Sequence, residues 1–455
     1  MHPVAGWALE QTPPFSCESG CGPPSVTMTS TQSPAETFGP IHVLAGLGTQ
    51  TLFEGFRHPR ARVYLADKGQ ASPADVVPDL VVVRCETAQL LNLTDPGVSD
   101  RAWAAIAAGG AGVVFDASAE GRFHTPQRTE VLHGFLEARG ISPTRAVYLT
   151  QDRRYGEDYL AHRVATGGGP AMSVVPHDLW IWRFASQFVG VGEIVLDERL
   201  QQFRVRQARR PRRFVSLNFT PRPTKALFLL SLMRDGLWDQ GYISFGGFDQ
   251  HARDSGEDLV GFRRFMRRLA GFEDLAVELT PLLAELDAYG QVMFGKVRRE
   301  EGDPRFVRGS PFRDPRMTEF DSSWFSVITE TEMRDWPSRI TEKPLKSLVN
   351  FHPLLTFGNP GSLRMLRELG FATFEDVIDQ SYDDELDPRR RFDMVYAEVA
   401  RLCAMDETQL ARLEAAIADK LEANARWGLI DLPKTRRRQN DAALIDQILA
   451  AVGLG

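Results

Sequence analysis

Residues Thr341 to Pro344 place a carboxylate and an ammonium side by side at the start of a predicted helix. Thr341 belongs to a residue type that caps helices, and Pro344 is tolerated in a first helical turn. Glu342 suits the positive end of a helix dipole, whereas the ammonium of Lys343 opposes it. A bound phosphate would explain the lysine, and the glutamate would then accept hydrogen bonds from ribose hydroxyls. A charged first turn in water is an equally weighted alternative.

The elements around this tetrapeptide alternate between apolar strands and amphipathic helices. In the second half, strands are predicted at 213–219, 241–248, 322–330 and 353–358, with helices at 223–238 and 361–371. A further helix is predicted to open at 341–344, with Leu345, Leu348 and Val349 facing the core. In the first half, strands are predicted at 61–67, 80–86, 111–118 and 145–152, with helices at 99–110 and 125–140. Short apolar strands separated by helices predict two doubly wound α/β domains with parallel sheets. Ligands of such sheets bind beyond the carboxyl ends of the strands.

The chain of 455 residues is too long for one hydrophobic core. The sequence predicts a poorly ordered segment at 1–38, Rossmann-like domains at 39–205 and 206–400, and a helical extension at 401–455. The basic stretch 203–214 is interpreted as a solvated linker between the two halves. In the extension, Asp406 with Gln409 predicts a capping box for a helix over 406–428. Before the extension, Asp387 followed by Pro388 predicts another helix start.

Composition is that of an ordinary soluble protein, with 43% hydrophobic and 25% charged residues. A net charge of −7 gives no general attraction to nucleic acid. The four cysteines are too scattered for a disulfide framework, and Cys17 with Cys21 lacks the partners of a zinc site. The opening residues lack the pattern of a signal peptide, and no apolar run reaches the ~18 residues of a membrane span. We therefore expect a cytoplasmic protein, with peripheral membrane contact left open.

The stretch "WFSVITETEMRDWPSRITEKPLKSLVNFHPLLTFG" resembles the donor-binding motif of the α1,3-fucosyltransferases. It is also similar to bacterial and viral glycosyltransferase-like proteins that carry "TEK…P…FGNPGSL…LRSLGF…F". The resemblance covers about 213–382. It implies a GT-B-like α/β fold, in which two Rossmann-like domains face a cleft. The second domain would bind a nucleotide sugar and the first would bind the acceptor.

Positions carried over from that motif give the expected donor site. Glu330 matches the first glutamate of the motif, Glu342 the ribose-binding glutamate and Lys343 the phosphate-binding lysine. The motif has an aromatic residue where this chain has Arg339, and an asparagine where it has Thr331. The resemblance favours a GDP-sugar as the donor. Because of the two departures, UDP-, CDP- and dTDP-sugars are left open. The whole donor set comprises Asn218, Arg222, Lys225, Glu330, Arg339, Thr341, Glu342 and Lys343.

The same reasoning gives candidates for the reaction itself. The chain has no Asp-x-Asp, so lysines, arginines and a helix start are expected to neutralise the diphosphate without an obligatory metal or other cofactor. An inverting transfer needs a carboxylate base at a strand end of the first domain, and Glu120 and Asp116 in "GVVFDASAEGRFH" are the best candidates. Either of them could equally be a helix cap or fix the loop. Asp152 and His177 are weaker candidates, and a retaining enzyme would need no such base.

These features predict an enzyme that moves a sugar from a nucleoside diphosphate to a hydroxyl of a glycan, such as a surface polysaccharide, or of a protein. One alternative is a non-catalytic protein that keeps the scaffold to bind a glycan or nucleotide. Another is a sugar-nucleotide epimerase. A dinucleotide enzyme is disfavoured, because no Gly-x-Gly-x-x-Gly follows a strand and "LAGLGTQ" (44–50) lacks the third glycine.

Overall fold

The computed structural model describes residues 63–66, 78–85, 98–118, 123–206, 210–218, 222–248, 262–263, 266–267, 269–288, 292–293, 296–297, 318–336 and 339–454. The predicted N-terminal segment 1–38, the pair Cys17 and Cys21, and the candidate base Glu120 lie outside the described residues. None of the helices in the described ranges is long and apolar enough to cross a membrane.

The first sheet contains five strands, all of them parallel. They are β1 (Val63–Ala66), β2 (Leu80–Arg84), β3 (Gly112–Ala117), β4 (Ala146–Thr150) and β5 (Ser173–Pro176). Their order in the sheet follows their order in the chain. The four strands predicted in this half are confirmed. Their uninterrupted apolar sequences fit a sheet that is covered on both faces.

The second sheet contains six strands in the order β11-β10-β6-β7-β8-β9. They are β6 (Phe214–Asn218), β7 (Gly241–Phe245), β8 (Val292–Met293), β9 (Lys296–Val297), β10 (Phe325–Thr329) and β11 (Leu354–Phe357). The four longer strands are parallel, and β8 and β9 add an antiparallel edge. The chain leaves β6 towards β7 and later returns to β10 on the other side of β6. This reversal creates a crevice at the carboxyl ends of β6 and β10, where ligands of doubly wound sheets bind.

Helices follow most of the strands. In the first half they are α1 (Asp100–Ala107), α2 (Pro126–Glu137), α3 (Tyr155–Ala165), α4 (Leu179–Ser186) and α5 (Gly192–Val205). In the second half they are α6 (Pro223–Arg234), α7 (Glu273–Leu279), α8 (Leu283–Ala288), α9 (Thr318–Asp321), α10 (Lys343–Leu348) and α11 (Ser362–Glu368). The tail contains α12 (Pro388–Ala404), α13 (Glu407–Ala416), α14 (Ala418–Arg426) and α15 (Leu432–Ala451). A π-helical turn, Trp427–Asp431, joins the last two.

The two faces of the first sheet are covered by different parts of the chain. On one face, Trp103 of α1 and Phe135 of α2 pack against Phe115 of β3 in a shared cluster. On the other face, Ile445 and Ile448 of α15 pack against the strands. The final helix therefore belongs to the first sheet, although it follows the second sheet in sequence. The predicted domain boundaries do not anticipate this return, and they stay predictions.

The tail confirms two of the predicted helix starts and changes one predicted helix. The side chain of Asp387 caps α12, and Asp406 with Gln409 forms the predicted capping box of α13. The helix predicted over 406–428 is divided at Ile417, whose φ of −117° leaves the helical range.

The basic stretch 203–214 is not the solvated linker that the sequence suggested. Val205 ends α5, and the guanidinium groups of Arg206 and Arg210 are both buried. Both contact the carboxylate of Glu414 on α13. Two arginines of this stretch therefore make a buried ionic contact with the tail, which the sequence pattern does not reveal.

Candidate functional site

The crevice between β6 and β10 is bridged by polar side chains. The backbone ladder pairs only the first two residues of β10, Phe325 and Ser326, with β6. Further along, the hydroxyl of Ser216 donates to the Val327 carbonyl at 2.8 Å. At the carboxyl ends, the hydroxyl of Thr329 donates to the side-chain oxygen of Asn218. Asn218, predicted for the donor site, thus lies at the mouth of the crevice, completely buried.

Glu330, which follows β10 directly, is the centre of the hydrogen bonds at this edge. Its carboxylate accepts from the ammonium of Lys343 at 2.8 Å and from the hydroxyl of Thr341 at 2.7 and 2.9 Å. Burial would raise the pKa of Glu330, but the charge and hydrogen bond of Lys343, the hydroxyl of Thr341 and the charge of Arg339 together lower it. Glu330 is therefore a buried anion that fixes the lysine of the predicted phosphate site.

Thr341 does not cap the helix, although its residue type can do so. Helix α10 begins at Lys343, its N-cap is Glu342, and no side chain caps it. The hydroxyl of Thr341 is directed to Glu330 and accepts only a long 3.4 Å bond from the Lys343 amide. The predicted core face is correct, since Leu345, Leu348 and Val349 are buried.

Two further ammonium groups are buried next to this carboxylate. Lys225, in the first turn of α6, is 5% exposed, and burial together with the charge of Lys343 lowers its pKa to about 7. Lys346 of α10 is also buried, and burial lowers its pKa to about 8 although Glu342 acts in the opposite direction. Among the described residues, no carboxylate lies within ion-pair distance of Lys225.

The remaining predicted donor residues lie near Glu330 and Lys225. Arg222 is exposed at the N-cap of α6, and its charge is felt by Lys225. Arg339 is half-buried, and its charge is felt by Glu330. The side chain of Glu342 is buried and interacts electrostatically with Lys225 and Lys346. The structure therefore brings the eight predicted donor residues to one edge of one sheet, while their roles stay predictions.

At the start of the nearby helix α11, two backbone amides are hydrogen-bonded to a side chain of the protein itself. The carboxylate of Asp383 accepts from the amides of Leu363 and Arg364 at 2.8 and 2.9 Å, which are the first free N–H groups of α11. Asp383 is itself buried. These two amides, which follow the Asn-Pro-Gly turn, are consequently not available to a ligand.

Two of the candidate bases, Asp116 and Asp152, lie at the carboxyl end of the first sheet. Asp116 is buried at the end of β3 and accepts from the amide and hydroxyl of Ser118 at 3.0 and 2.5 Å. These hydrogen bonds fit the alternative given above, in which Asp116 holds its own loop in place. Asp152 follows β4, and its Oδ1 accepts from the amide of Arg154 at 3.0 Å. Its Oδ2 is buried and accepts no hydrogen bond from any residue that the structure describes.

A group of cationic and aromatic side chains joins the two sheet edges. The guanidinium of Arg334, beyond β10, lies 4.2 Å from the ring centroid of Phe123 and 5.3 Å from that of Trp336. The guanidinium of Arg154 lies 4.8 Å from the Trp336 ring. Arg153 adds an ion pair with Glu368 at 2.9 Å. These contacts bring the carboxyl ends of the two sheets together. Sequence reasoning missed the cluster, although Arg334, Trp336 and Phe123 lie in stretches already quoted, because nothing in those stretches shows that they meet.

These contacts confirm the predicted fold class, a GT-B-like arrangement of two α/β domains with parallel sheets.

No protein-family model matches the chain, and no curated protein matches it significantly. Among solved structures, the chain is similar to a Candida albicans trehalose-6-phosphate phosphatase N-terminal domain, at 12% identity and a TM-score of 0.38, covering 83% of this chain and 71% of that one. It is similar to an α,α-trehalose 6-phosphate synthase from Burkholderia multivorans, at 14% identity and a TM-score of 0.33, covering 81% and 72%. It is also similar to a UDP-forming α,α-trehalose-phosphate synthase from Burkholderia xenovorans, at 13% identity and a TM-score of 0.35, covering 83% and 74%. A likeness of this degree says nothing about donor, acceptor or reaction, and the narrower resemblance to fucosyltransferases stays a prediction.

Proposed function

We propose that this protein is a glycosyltransferase that binds a nucleoside-diphosphate sugar at the crevice between β6 and β10. The observation that carries the proposal is an excess of positive charge, much of it buried, at the carboxyl ends of these strands. Among the residues that the structure describes, two carboxylates, Glu330 and Glu342, share this edge with four cations: Arg222, Lys225, Arg339 and Lys343. Buried charges are normally paired, so an excess of cations favours an anionic ligand.

A diphosphate fits this arrangement better than a single carboxylate would. Lys225 and Lys343 are both adjacent to Glu330, and each can contribute one ammonium to a phosphate group. Arg222 adds a guanidinium at the exposed rim, where it can approach the second phosphate. The same cations would stabilise the charge that develops on a departing nucleoside diphosphate.

The rest of the donor would extend from this anchor. Glu342 is the residue proposed to accept the ribose hydroxyls, and Arg339 lies where the fucosyltransferase-like motif has an aromatic side chain. The proposed donor is a GDP-sugar by resemblance, with UDP-, CDP- and dTDP-sugars as alternatives. The acceptor hydroxyl, from a glycan or a protein, would enter the cleft from the side of the first sheet.

Calorimetric titration with GDP, UDP, CDP and dTDP tests the anchor directly. We expect one of them to bind with a dissociation constant in the micromolar range, typical of substrates, and to raise the melting temperature. Release of the nucleoside diphosphate from the corresponding sugar donors then tests transfer to water or to added sugars. Binding without turnover across the panel would favour the non-catalytic alternative. Absence of binding by all four nucleotides would refute the proposal.

A further inference from the structure

Two buried polar atoms, one near the edge of each sheet, have no hydrogen-bond partner among the residues that the structure describes. Oδ2 of Asp152, on the first-sheet side, and Nε1 of Trp336, on the second-sheet side, make no hydrogen bond with any residue in the described ranges. The first atom is an acceptor and the second is a donor. Leaving such groups buried and unpaired costs about 1–3 kcal/mol each. The pair is therefore best explained by a ligand that can both donate and accept.

Asp152 and Trp336 share their neighbours. The backbone amide of Arg154 holds Oδ1 of Asp152 at 3.0 Å, while its guanidinium lies 4.8 Å from the Trp336 ring. Arg334 interacts electrostatically with Asp152, and its guanidinium lies between the rings of Phe123 and Trp336. Phe123 is 40% exposed, although it is a large apolar side chain. Aromatic faces next to hydrogen-bonding groups are the usual means of binding sugar rings.

We propose that this cluster is the acceptor subsite of the proposed transferase, and that Asp152 is its catalytic base. The inference rests on the proposed function and specifies the part of it that the donor site leaves open. A carbohydrate ring would pack on the exposed part of Phe123, and one of its hydroxyls would donate to Oδ2 of Asp152. Neither Glu120, which lies outside the described residues, nor Asp116, which fixes its own loop, is required for this role.

The step balances without a further reactant. The acceptor oxygen forms a bond to the anomeric carbon, and the bond from that carbon to the phosphate oxygen breaks. The hydroxyl proton moves to Oδ2 of Asp152, and the nucleoside diphosphate leaves with the electron pair. Because the nucleophile and the leaving group occupy opposite faces of the anomeric carbon, the product has inverted configuration.

The environment of Asp152 suits a base that works near neutral pH. Burial is the main cause that raises its pKa to about 6, and the charges of Glu332 and Asp158 act in the same direction. The amide of Arg154 and the charge of Arg334 act in the opposite direction. The carboxylate is therefore ionised at pH 7 but remains basic enough to accept a proton.

Asp152→Asn tests the assignment, because Asn keeps an oxygen for the Arg154 amide but cannot take a proton. The matched control is Glu157→Gln on the exposed side of α3. Each variant and the wild type are titrated with the nucleoside diphosphate that binds best. The release of that diphosphate from its sugar donors, with water and simple sugars as acceptors, is measured between pH 5 and 9. The anomeric configuration of the released sugar is read by NMR.

We expect Asp152→Asn to bind the nucleoside diphosphate as the wild type does and to lower turnover at least 100-fold, the usual contribution of a general base. The activity of the wild type should fall below pH 6. The residual activity of the variant should not show this fall. Wild-type rates in Asp152→Asn, or a product of retained configuration, would overturn the base while leaving the donor site intact. Donor binding without any turnover by the wild type would also overturn it, whereas absence of nucleotide binding would refute the proposed function itself.

Discussion

The ammonium of Lys343 lies 2.8 Å from Oε2 of Glu330, and the two residues belong to different elements of the second sheet. Glu330 follows β10, whereas Lys343 begins α10. The lysine side chain is 20% exposed, so it is directed by the carboxylate without being closed off from the crevice. A lysine held in this way keeps part of its hydrogen-bonding capacity for a second anion, since an ammonium has three donors.

Replacing Lys343 with Ala should weaken nucleoside-diphosphate binding at least tenfold. The change removes one charged hydrogen bond to phosphate, worth about 1.5–3 kcal/mol. Isothermal titration calorimetry with the best-binding nucleotide measures the effect. Lys434→Ala is the control, because that lysine is 65% exposed and pairs only with Glu193 at the surface. Equal affinities in the two variants would show that Lys343 has no role at a phosphate.

Donor binding should take up protons at neutral pH, because Lys225 has a pKa of about 7 in the free protein. A neighbouring diphosphate favours the charged ammonium and raises that pKa, so affinity should fall as the pH rises above 7. Calorimetry in buffers of different ionisation enthalpy measures the number of protons taken up on binding. The ligand should be a nucleotide sugar, because it has no terminal phosphate that would itself titrate near pH 7. About half a proton per donor is expected at pH 7. Lys225→Met should bind without this uptake, and uptake unchanged in that variant would contradict the assignment.

Lys225→Met should also stabilise the free protein at pH 7. The folded state holds Lys225 with a pKa of about 7, below its ordinary value of 10.5. The unfolded chain therefore binds more protons between these values, and the stability contribution of this lysine rises with pH through that window. Removing the buried cation should raise the unfolding free energy by about 1–3 kcal/mol. Urea denaturation at pH 7 and pH 9 checks this, and a smaller difference is expected at pH 9. A loss of stability at pH 7 would instead assign Lys225 a structural role.

The strands, and the edge at which the predicted donor residues lie, could be predicted because they depend on local sequence. Buried strands such as "AGVVFDAS" and the apolar side of α10 have patterns that specify an element and its buried face. Parallel strands then place their carboxyl ends at a common edge. Asn218 and Glu330 are 112 positions apart in the sequence, and they lie at the same edge because each stands at the carboxyl end of a parallel strand.

The acceptor side could not be predicted in the same way, because its residues are brought together by contacts between distant segments. Trp336 lies beyond the second-sheet strand β10, and Asp152 follows a strand of the first sheet. Their proximity depends on how two sheets face each other, which no periodicity encodes. The burial of Arg206 by Glu414 was hidden for the same reason. A charged residue in a basic run is solvated in most proteins, and only the folded tail shows otherwise.

Arg391 should be far more important for stability than the adjacent Arg390. Arg391 is 1% exposed and donates to the backbone carbonyls of Gly358 at 2.9 Å, Leu386 at 3.2 Å, and Arg334. Arg391→Met leaves these carbonyls unpaired and should cost about 2–4 kcal/mol of unfolding free energy. Arg390 is 75% exposed, so Arg390→Ala should cost less than about 0.5 kcal/mol. Chemical denaturation of both variants measures the difference, and similar losses would show that the buried contacts contribute little.

Glu414→Gln should destabilise the protein strongly, because it leaves two buried guanidinium groups without a carboxylate. The side chains of Arg206 and Arg210 are each 3% exposed, and both are hydrogen-bonded to Glu414. Removing one partner of a buried ionic group costs about 3–5 kcal/mol. Glu422→Gln is the control, since its contact with Arg204 is 3.8 Å long and exposed. Denaturation at low salt and at about 1 M salt should show a loss for Glu414→Gln that persists, because buried charges are little screened. A loss that disappears in salt would place this contact at the surface and restore the linker interpretation of the basic stretch.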